Sequence, residues 1–354
     1  MKITPAAIVL ALTVVLLLSA APAVGQDRAA SGLDGKIAFL QNGEVCASHA
    51  DGSDIIAVTQ TGGKVDDFVF SPRLEYLAFT REFAMAPGLV PCDFDGEEWP
   101  MVPIHSVVFI NLATMSTLTE IEPEELWQHL GQWTAPDRFV FYLTGTHTLA
   151  GYVEHDIKSN TQTKVDRSKE YDLYGPSYSA DYNLVLYTTD SGLGETYHHR
   201  LHLLDRTTGE DRILVRQNSI FSHNLSPDNK SVALMGRVSR DNWVARDVWI
   251  YRVEDESLEL FLSDSAGLPR NGPTWSPDGK FIGLADGVEM LLTAVENPLE
   301  THRIKGNHFS WIDDKHLLMS RGNGIYQYDL ASEQARLIIN NAAKPMFLKA
   351  AGGP

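Results

Sequence analysis

The chain has 354 residues, of which 44% are hydrophobic, 21% charged and 9% aromatic, with 27 Gly, 17 Pro and two Cys. Such a composition belongs to a globular protein and excludes collagen, coiled coil and a wholly disordered chain. Twenty-nine basic residues stand against 46 acidic ones, a formal charge of -17 that repels phosphate backbones and excludes nucleic acid as the expected partner.

Near the start, Lys2 precedes an apolar run from Ala6 to Ala21 that includes Val14, Val15 and Leu16 to Leu18. The run is too short to span a bilayer comfortably. Small residues at Ala21, Ala23 and Gly25 then offer the small-x-small pattern of secretory cleavage. The reading is a signal peptide over 1–25 and a single domain over 26–354, periplasmic or secreted and not membrane-spanning once the signal is removed. A retained N-terminal anchor competes with it, because the leading segment carries one charge.

The rest holds no long stretch of helical apolar periodicity beyond a weak helical turn around Pro123 to Leu130. Short alternating runs read instead as strands. Lys36-Ile37-Ala38-Phe39 through Val58 makes a unit of three strands, with a hairpin from Val45-Cys46-Ala47 to Ala50-Asp51-Gly52-Ser53. Further along come Phe70-Ser71-Pro72, Trp133-Thr134-Ala135-Pro136-Asp137, Tyr178-Ser179-Ala180-Asp181 and Leu225-Ser226-Pro227-Asp228-Asn229-Lys230, then Trp275-Ser276-Pro277-Asp278-Gly279-Lys280 and Trp311-Ile312-Asp313-Asp314-Lys315. In the fullest of these, an apolar residue ends one strand, Pro fixes φ, Asp bonds nearby backbone and Gly or Asn accepts positive φ. Each marks a hairpin between buried strands, and a second hairpin follows, as at Asp205 to Glu210. Turns starting near residues 71, 134, 179, 226, 276 and 311 recur at the period of a radial repeat. The first unit lacks its innermost strand, and Pro345-Met346-Phe347-Leu348 is left over to supply it, which removes the edges an open ring would expose. The expected fold is an all-β propeller of seven four-stranded blades, with six as the alternative.

The unit at 275 to 284 resembles the TolB-like propeller repeat, and so does Asp51-Gly52-Ser53 before Ile55-Ile56-Ala57-Val58-Thr59. The resemblance covers nearly all of the chain past residue 25, although the full turn survives only at 275 to 284. TolB itself is a looser match, because no residues remain for the N-terminal α/β domain of that family. What the resemblance implies is the fold, with little about function.

Loops between second and third strands share a face with the entries of the innermost strands. They are tight at Asn42-Gly43, Asp286-Gly287 and Gly322-Asn323-Gly324, but long at 84–103, 144–151, 189–200 and 236–246. One side of the rim is therefore tall, which points to a binding cleft. Its candidate contacts are Trp99, Tyr197, His199, Arg240, Trp243 and Arg246, since aromatic and Arg side chains on loops anchor binding surfaces. Folding of the loops onto their own blades is the competing reading for the two tryptophans.

Chemistry is less legible. No Gly-x-Ser-x-Gly elbow occurs, and the propeller leaves no room for the hydrolase domain of prolyl-peptidase relatives. His198 and His202 would share a strand face, yet the matching ligands of a metal site are missing. Asp93-Phe94-Asp95-Gly96-Glu97-Glu98 resembles part of a calcium loop and lacks the remaining positions. His223 and His308 each stand seven residues before Lys230 and Lys315, at the channel mouth, where other units place Phe68, Gly131, Pro176 and Pro273. A one-residue gap in the last turn would rotate His308 to the opposite face. Oligogalacturonate lyases, which also resemble seven blades of this repeat, use metal ligands at that mouth, and the match here does not reach their full set. No cofactor is expected; calcium or a transition metal remains the minor alternative.

Cys46 and Cys92 are expected to form a disulfide, because export allows one and no metal-ligand spacing relates them. Closing about 46 residues would stabilise by roughly 4 kcal/mol. The functional expectation is an exported, monomeric, non-catalytic propeller that binds a protein or a cell-envelope glycan through its loop-rich face. The alternative is a propeller enzyme such as a metal-dependent polysaccharide or oligosaccharide lyase.

Overall fold

The Ser-x-Asp turns set where the strands begin. At Ser276 the hydroxyl donates to Asp278 Oδ1 at 2.8 Å and accepts from the Phe281 amide at 2.9 Å, while Asp278 Oδ1 also accepts from the Lys280 amide at 3.1 Å. Gly279 closes the turn at φ 72°, a conformation that costs a residue with a Cβ. The same relay recurs at Ser226-Asp228 and Ser179-Asp181, with Asn229 and Tyr182 at φ 61° in the Gly position. These hydrogen bonds hold the Asp278, Asp228 and Asp181 carboxyls below the usual carboxylate range against the opposing effect of burial.

A computed structural model describes residues 32–87, 101–123, 127–144, 149–165, 176–191, 198–237, 246–263 and 272–350. Its strands are β1 (Ile37–Gln41), β2 (Glu44–Ser48), β3 (Ile56–Ala57), β4 (Val65–Phe70), β5 (Tyr76–Pro87), β6 (Met101–Asn111), β7 (Ser116–Ile121), β8 (Trp127–Ala135), β9 (Arg138–Thr144) and β10 (Leu149–Asp156). There follow β11 (Thr161–Val165), β12 (Ser177–Tyr178), β13 (Leu184–Ser191), β14 (His198–Asp205), β15 (Glu210–Gln217), β16 (Ser219–Leu225), β17 (Ser231–Arg237), β18 (Asp247–Arg252) and β19 (Leu258–Leu262). The last are β20 (Thr274–Trp275), β21 (Phe281–Ala285), β22 (Glu289–Ala294), β23 (Thr301–Lys305), β24 (Asn307–Trp311), β25 (His316–Arg321), β26 (Gly324–Asp329), β27 (Gln334–Asn340) and β28 (Ala343–Phe347).

Seven antiparallel four-stranded sheets result, so the chain is a seven-bladed β-propeller. Blade 1 has the order β28-β1-β2-β3, and the C-terminal strand is its innermost member. Ile37 faces Phe347 and Ala38 faces Met346 across that pairing. Blades 2 to 7 are β4–β7, β8–β11, β12–β15, β16–β19, β20–β23 and β24–β27, each in chain order from the channel outward. The helical turn expected around Pro123 to Leu130 is corrected: 127–130 opens β8, where Leu130 pairs with Phe141, and sheet pairing overrides a weak local preference. Among the described residues no helix is long and apolar enough to cross a membrane.

Period-two alternation sends successive side chains to opposite neighbours. In β2, Val45 and Ala47 pack toward blade 2 with Phe68, Leu77 and Val108, whereas Cys46 packs toward blade 7 with Leu318, Ile325 and Ile339. Two tryptophans tie blades together through their indoles. Trp133 Nε1 donates to the Val69 carbonyl at 3.4 Å and Trp275 Nε1 to the Asn224 carbonyl at 3.1 Å, each reaching the inner strand of the preceding blade.

Deleting residues 344–354 removes the inner strand of blade 1 and exposes β1. The melting temperature should fall by about 10 °C or more. An unchanged calorimetric transition would contradict closure of the ring by β28.

Candidate binding face and channel wall

The tall rim begins with blade 2. Val65, at the entry of the inner strand, pairs with Arg81, so Glu82–Pro87 and Met101–His105 continue as a ladder beyond it. Arg81 is anchored on Glu120, which also accepts from Ser106 Oγ at 2.6 Å. Blades 1 and 7 turn back at Asn42-Gly43 and Gly322-Asn323, leaving that side low.

Several candidate contacts, namely Trp99, Tyr197, Arg240 and Trp243, lie outside the described residues, together with Cys92 and the acidic run Asp93 to Glu98. Arg246 is described, and its guanidinium lies 4.9 Å from the centre of the Phe221 ring. Arg237 sits 4.8 Å from the same ring, so two cations flank the inner strand of blade 5 at the loop-rich face.

His199 is not on the rim. It is 4% exposed, and its Nδ1 meets the backbone of Ile220 at 3.1 Å, pinning β14 to the inner strand of blade 5. The reason is alternation: in β14 His199, Leu201 and Leu203 face inward between blades, and His198, Arg200 and His202 face the other way. His202 is held by Asp211 through Nδ1 at 3.2 Å and by Thr189 through Nε2 at 3.0 Å, so both ring nitrogens have protein partners. Among the described residues, no three His, Cys, Asp or Glu side chains converge as a metal-holding group.

The two channel histidines have separate surroundings. His308 occupies an irregular stretch of β24 at φ 49° and is exposed. Partial desolvation of its ring by the channel wall and the nearby Lys344 cation lower its pKa, with Asp67 opposing. Lys344 Nζ donates to the Asp66 carbonyl at 2.7 Å and reaches Asp67 Oδ1 at 3.2 Å, which links the entries of blades 1 and 2. On blade 3, burial and the charge of His105 lower the pKa of His129, and Asp66 opposes them. An arc of titratable groups thus runs across the channel mouth from blade 7 to blade 3. Sequence reasoning missed Lys344, Asp66, Asp67 and His129; their positions at inner-strand entries were the available signal.

His223 lies deeper on the wall. It is 7% exposed, its Nδ1 is 3.2 Å from Ser177 Oγ, and its Nε2 is buried with no hydrogen-bond partner. Burial lowers its pKa to about 4, so the ring is neutral near pH 7. Cys46 is 6% exposed, and burial followed by the Glu44 charge pushes its thiol pKa up; Cys92, its expected disulfide partner, lies outside the described residues.

Comparison with known proteins agrees with this architecture. No protein-family model matches the chain. No curated protein matches it either. Among solved structures, an uncharacterized protein of Listeria monocytogenes has a TM-score of 0.52 at 12% identity, with 88% of this chain and 94% of that one covered. An oligogalacturonate lyase in complex with manganese has a TM-score of 0.50 at 14% identity, covering 87% and 86%. TolB from Acinetobacter baumannii has a TM-score of 0.46 at 14% identity, covering 89% of this chain and 67% of that one.

The histidines set an acid limit that can be measured. A buried histidine whose folded pKa is about 4, against about 6.5 unfolded, takes up its proton first in the unfolded chain. Stability is therefore lost as pH falls from about 6.5 to 4, by about 3 kcal/mol for His223. The turn aspartates act lower, below about pH 4. His223→Gln should flatten the decline between pH 6.5 and 4 in chemical denaturation; a slope equal to that of the parent would contradict the buried neutral ring. Taken together, the seven closed blades and the likenesses at TM-scores of 0.52 and 0.50 give the chain a seven-bladed β-propeller fold, in which the Ser276-Pro277-Asp278-Gly279 turn resembles the TolB-like repeat.

Proposed function

We propose that the protein is an exported binding propeller that holds a protein or a cell-envelope glycan over the channel mouth on its loop-rich face. Export rests on the apolar segment after Lys2 and the small residues to Gly25. The observation that carries the binding reading is the mouth itself. Lys344, Asp66, Asp67, His308 and His129 converge from four inner strands beside the raised β5–β6 hairpin, and blade 5 adds Arg237 and Arg246 over the Phe221 ring. Mixed charges and stacked guanidinium groups on a concave rim give oriented contacts to a polar partner.

The reading is tested with immobilised protein in an envelope extract. The partner retained by the parent should be lost at least tenfold in Arg246→Ala/His308→Ala, with an unchanged melting temperature. Equal retention would remove the channel mouth from the account. Release of unsaturated uronide from oligogalacturonate by protein supplied with a divalent metal would replace binding with lyase chemistry.

A further inference from the structure

Six of the seven junctions between blades are filled by apolar side chains. Examples are Phe109, Phe139 and Phe141 between blades 2 and 3, Leu201, Ile220 and Leu234 between blades 4 and 5, and Ile37, Phe39 and Leu318 between blades 7 and 1. Among the described residues, no such cluster joins blade 3 to blade 4. The alternation explains why. Blade 3 spends Phe139, Phe141 and Val153 on blade 2, and blade 4 spends Leu186, Leu201 and Leu203 on blade 5. Their other faces carry two buried valines, Val140 and Val185, and with them the polar set of Tyr142 and Glu154 on blade 3 and Tyr187, Thr189 and His202 on blade 4. These are tied within their own blades: Thr134 to Glu154 at 2.6 Å, Tyr187 to Asp211 at 2.6 Å, and His202 to Thr189 and Asp211. Across the junction run the Gln132 amide to the Pro176 carbonyl and Arg206 Nη1 to the Thr134 carbonyl at 2.8 Å.

A cavity of about 310 Å³ opens at the channel end of this junction. Gly131, Gln132 and Tyr142 of blade 3, Pro176 and Ser177 of blade 4, and His223 of blade 5 line it. The cavity exists because side chains are missing where other blades have them. A Cβ on Gly131 would lie 2.3 Å from the Val140 carbonyl and 2.9 Å from the Tyr142 ring, so that wall is bare. Inner strand β12 has only two residues. A second cavity of about 370 Å³ lies where blades 2, 3 and 4 meet, lined by Phe70, Gln132, Trp133, Tyr178 and Tyr182.

We propose that the blade 3–blade 4 junction is a binding site for an uncharged, hydroxyl-bearing molecule the size of one sugar ring, seated in the cavity between Ser177, Gln132, Tyr142 and His223. Size fits, since a space of about 310 Å³ lies at the small end of ligand-sized pockets. The lining holds no Asp, Glu, Lys or Arg, and the chain is acidic overall, so nothing offsets the desolvation of an anion. An apolar guest would leave the buried His223 Nε2 without a partner, which a polyol hydroxyl satisfies as either donor or acceptor. His223 is the decisive residue, because its buried Nε2 has no protein partner while Ser177 fixes the other side of the ring. At the matching inner-strand point blades 2, 3, 4 and 6 carry Phe68, Gly131, Pro176 and Pro273, and only blade 7 has another imidazole, the exposed His308. Tyr142 adds a ring against which a sugar face packs. The site is independent of the channel-mouth reading and survives its failure.

The test uses full-length protein with labelled histidine and the probes D-glucose, D-galactose, N-acetyl-D-glucosamine and D-galacturonate at millimolar concentration. At least one neutral sugar should shift the His223 imidazole resonance saturably, and galacturonate should bind at least tenfold more weakly. Ser177→Ala should weaken the neutral sugar about tenfold with the fold intact by near-ultraviolet dichroism. His223→Gln, which keeps a donor and an acceptor, should bind better than His223→Leu. No shift with any neutral sugar, binding that leaves His223 unmoved, or equal binding of galacturonate would each overturn the proposal.

Discussion

The main-chain pairing of β28 with β1 is the interaction on which the ring depends. A propeller is a row of sheets with two raw edges, and joining its ends in one blade satisfies both sets of backbone groups. The join is reinforced by side chains and by the tail. Gly35 donates to the Leu348 carbonyl at 2.8 Å, the Leu348 amide to the Lys36 carbonyl at 2.9 Å, and the Ala350 amide to Asp34 Oδ1 at 2.8 Å. Leu348 is 1% exposed in the blade 1–blade 2 core. Lys344 continues the clamp at the opposite face by bonding Asp66 and Asp67 of blade 2. Closure therefore also delivers a cation to the channel mouth, which connects the stability of the ring to the chemistry of its face.

The fold was legible because its signals are local and repeated. Ser276-Pro277-Asp278-Gly279 states its turn in four residues, and Ser226 and Ser179 state weaker versions of it, with Asn229 and Tyr182 taking the positive φ. The leftover strand at 345–348 followed from counting strands. Sites were less legible, because they depend on register rather than composition. His199 and His202 differ by three positions in one strand, and so one is sealed against Ile220 while the other joins Asp211. Cys46 faces blade 7 although Val45 and Ala47 beside it face blade 2. The irregularity in β24 that turns His308 outward was visible as a missing residue in the last turn, whereas the bulge that makes Gly131 obligatory was not.

The junctions divide the labour. Six carry aliphatic and aromatic clusters that hold neighbouring blades by removing apolar surface from water. The junction of blades 3 and 4 surrounds two buried valines, Val140 and Val185, with hydrogen-bonded polar groups and opens a cavity at its channel end, where the inner strand of blade 4, like that of blade 6, has two residues. A polar junction of this kind gains little from burial, so its presence in an otherwise apolar set marks the place where the wall gives up packing for access.

Native-state hydrogen exchange of the intact protein tests that division most directly, because it reports opening free energies strand by strand. Amides of β9 and β13 that border the blade 3–blade 4 junction should exchange through a subglobal opening, while those of β1 in its pairing with β28 exchange only on global unfolding. Release of the β1–β28 amides first, or equal protection at every junction, would contradict the account.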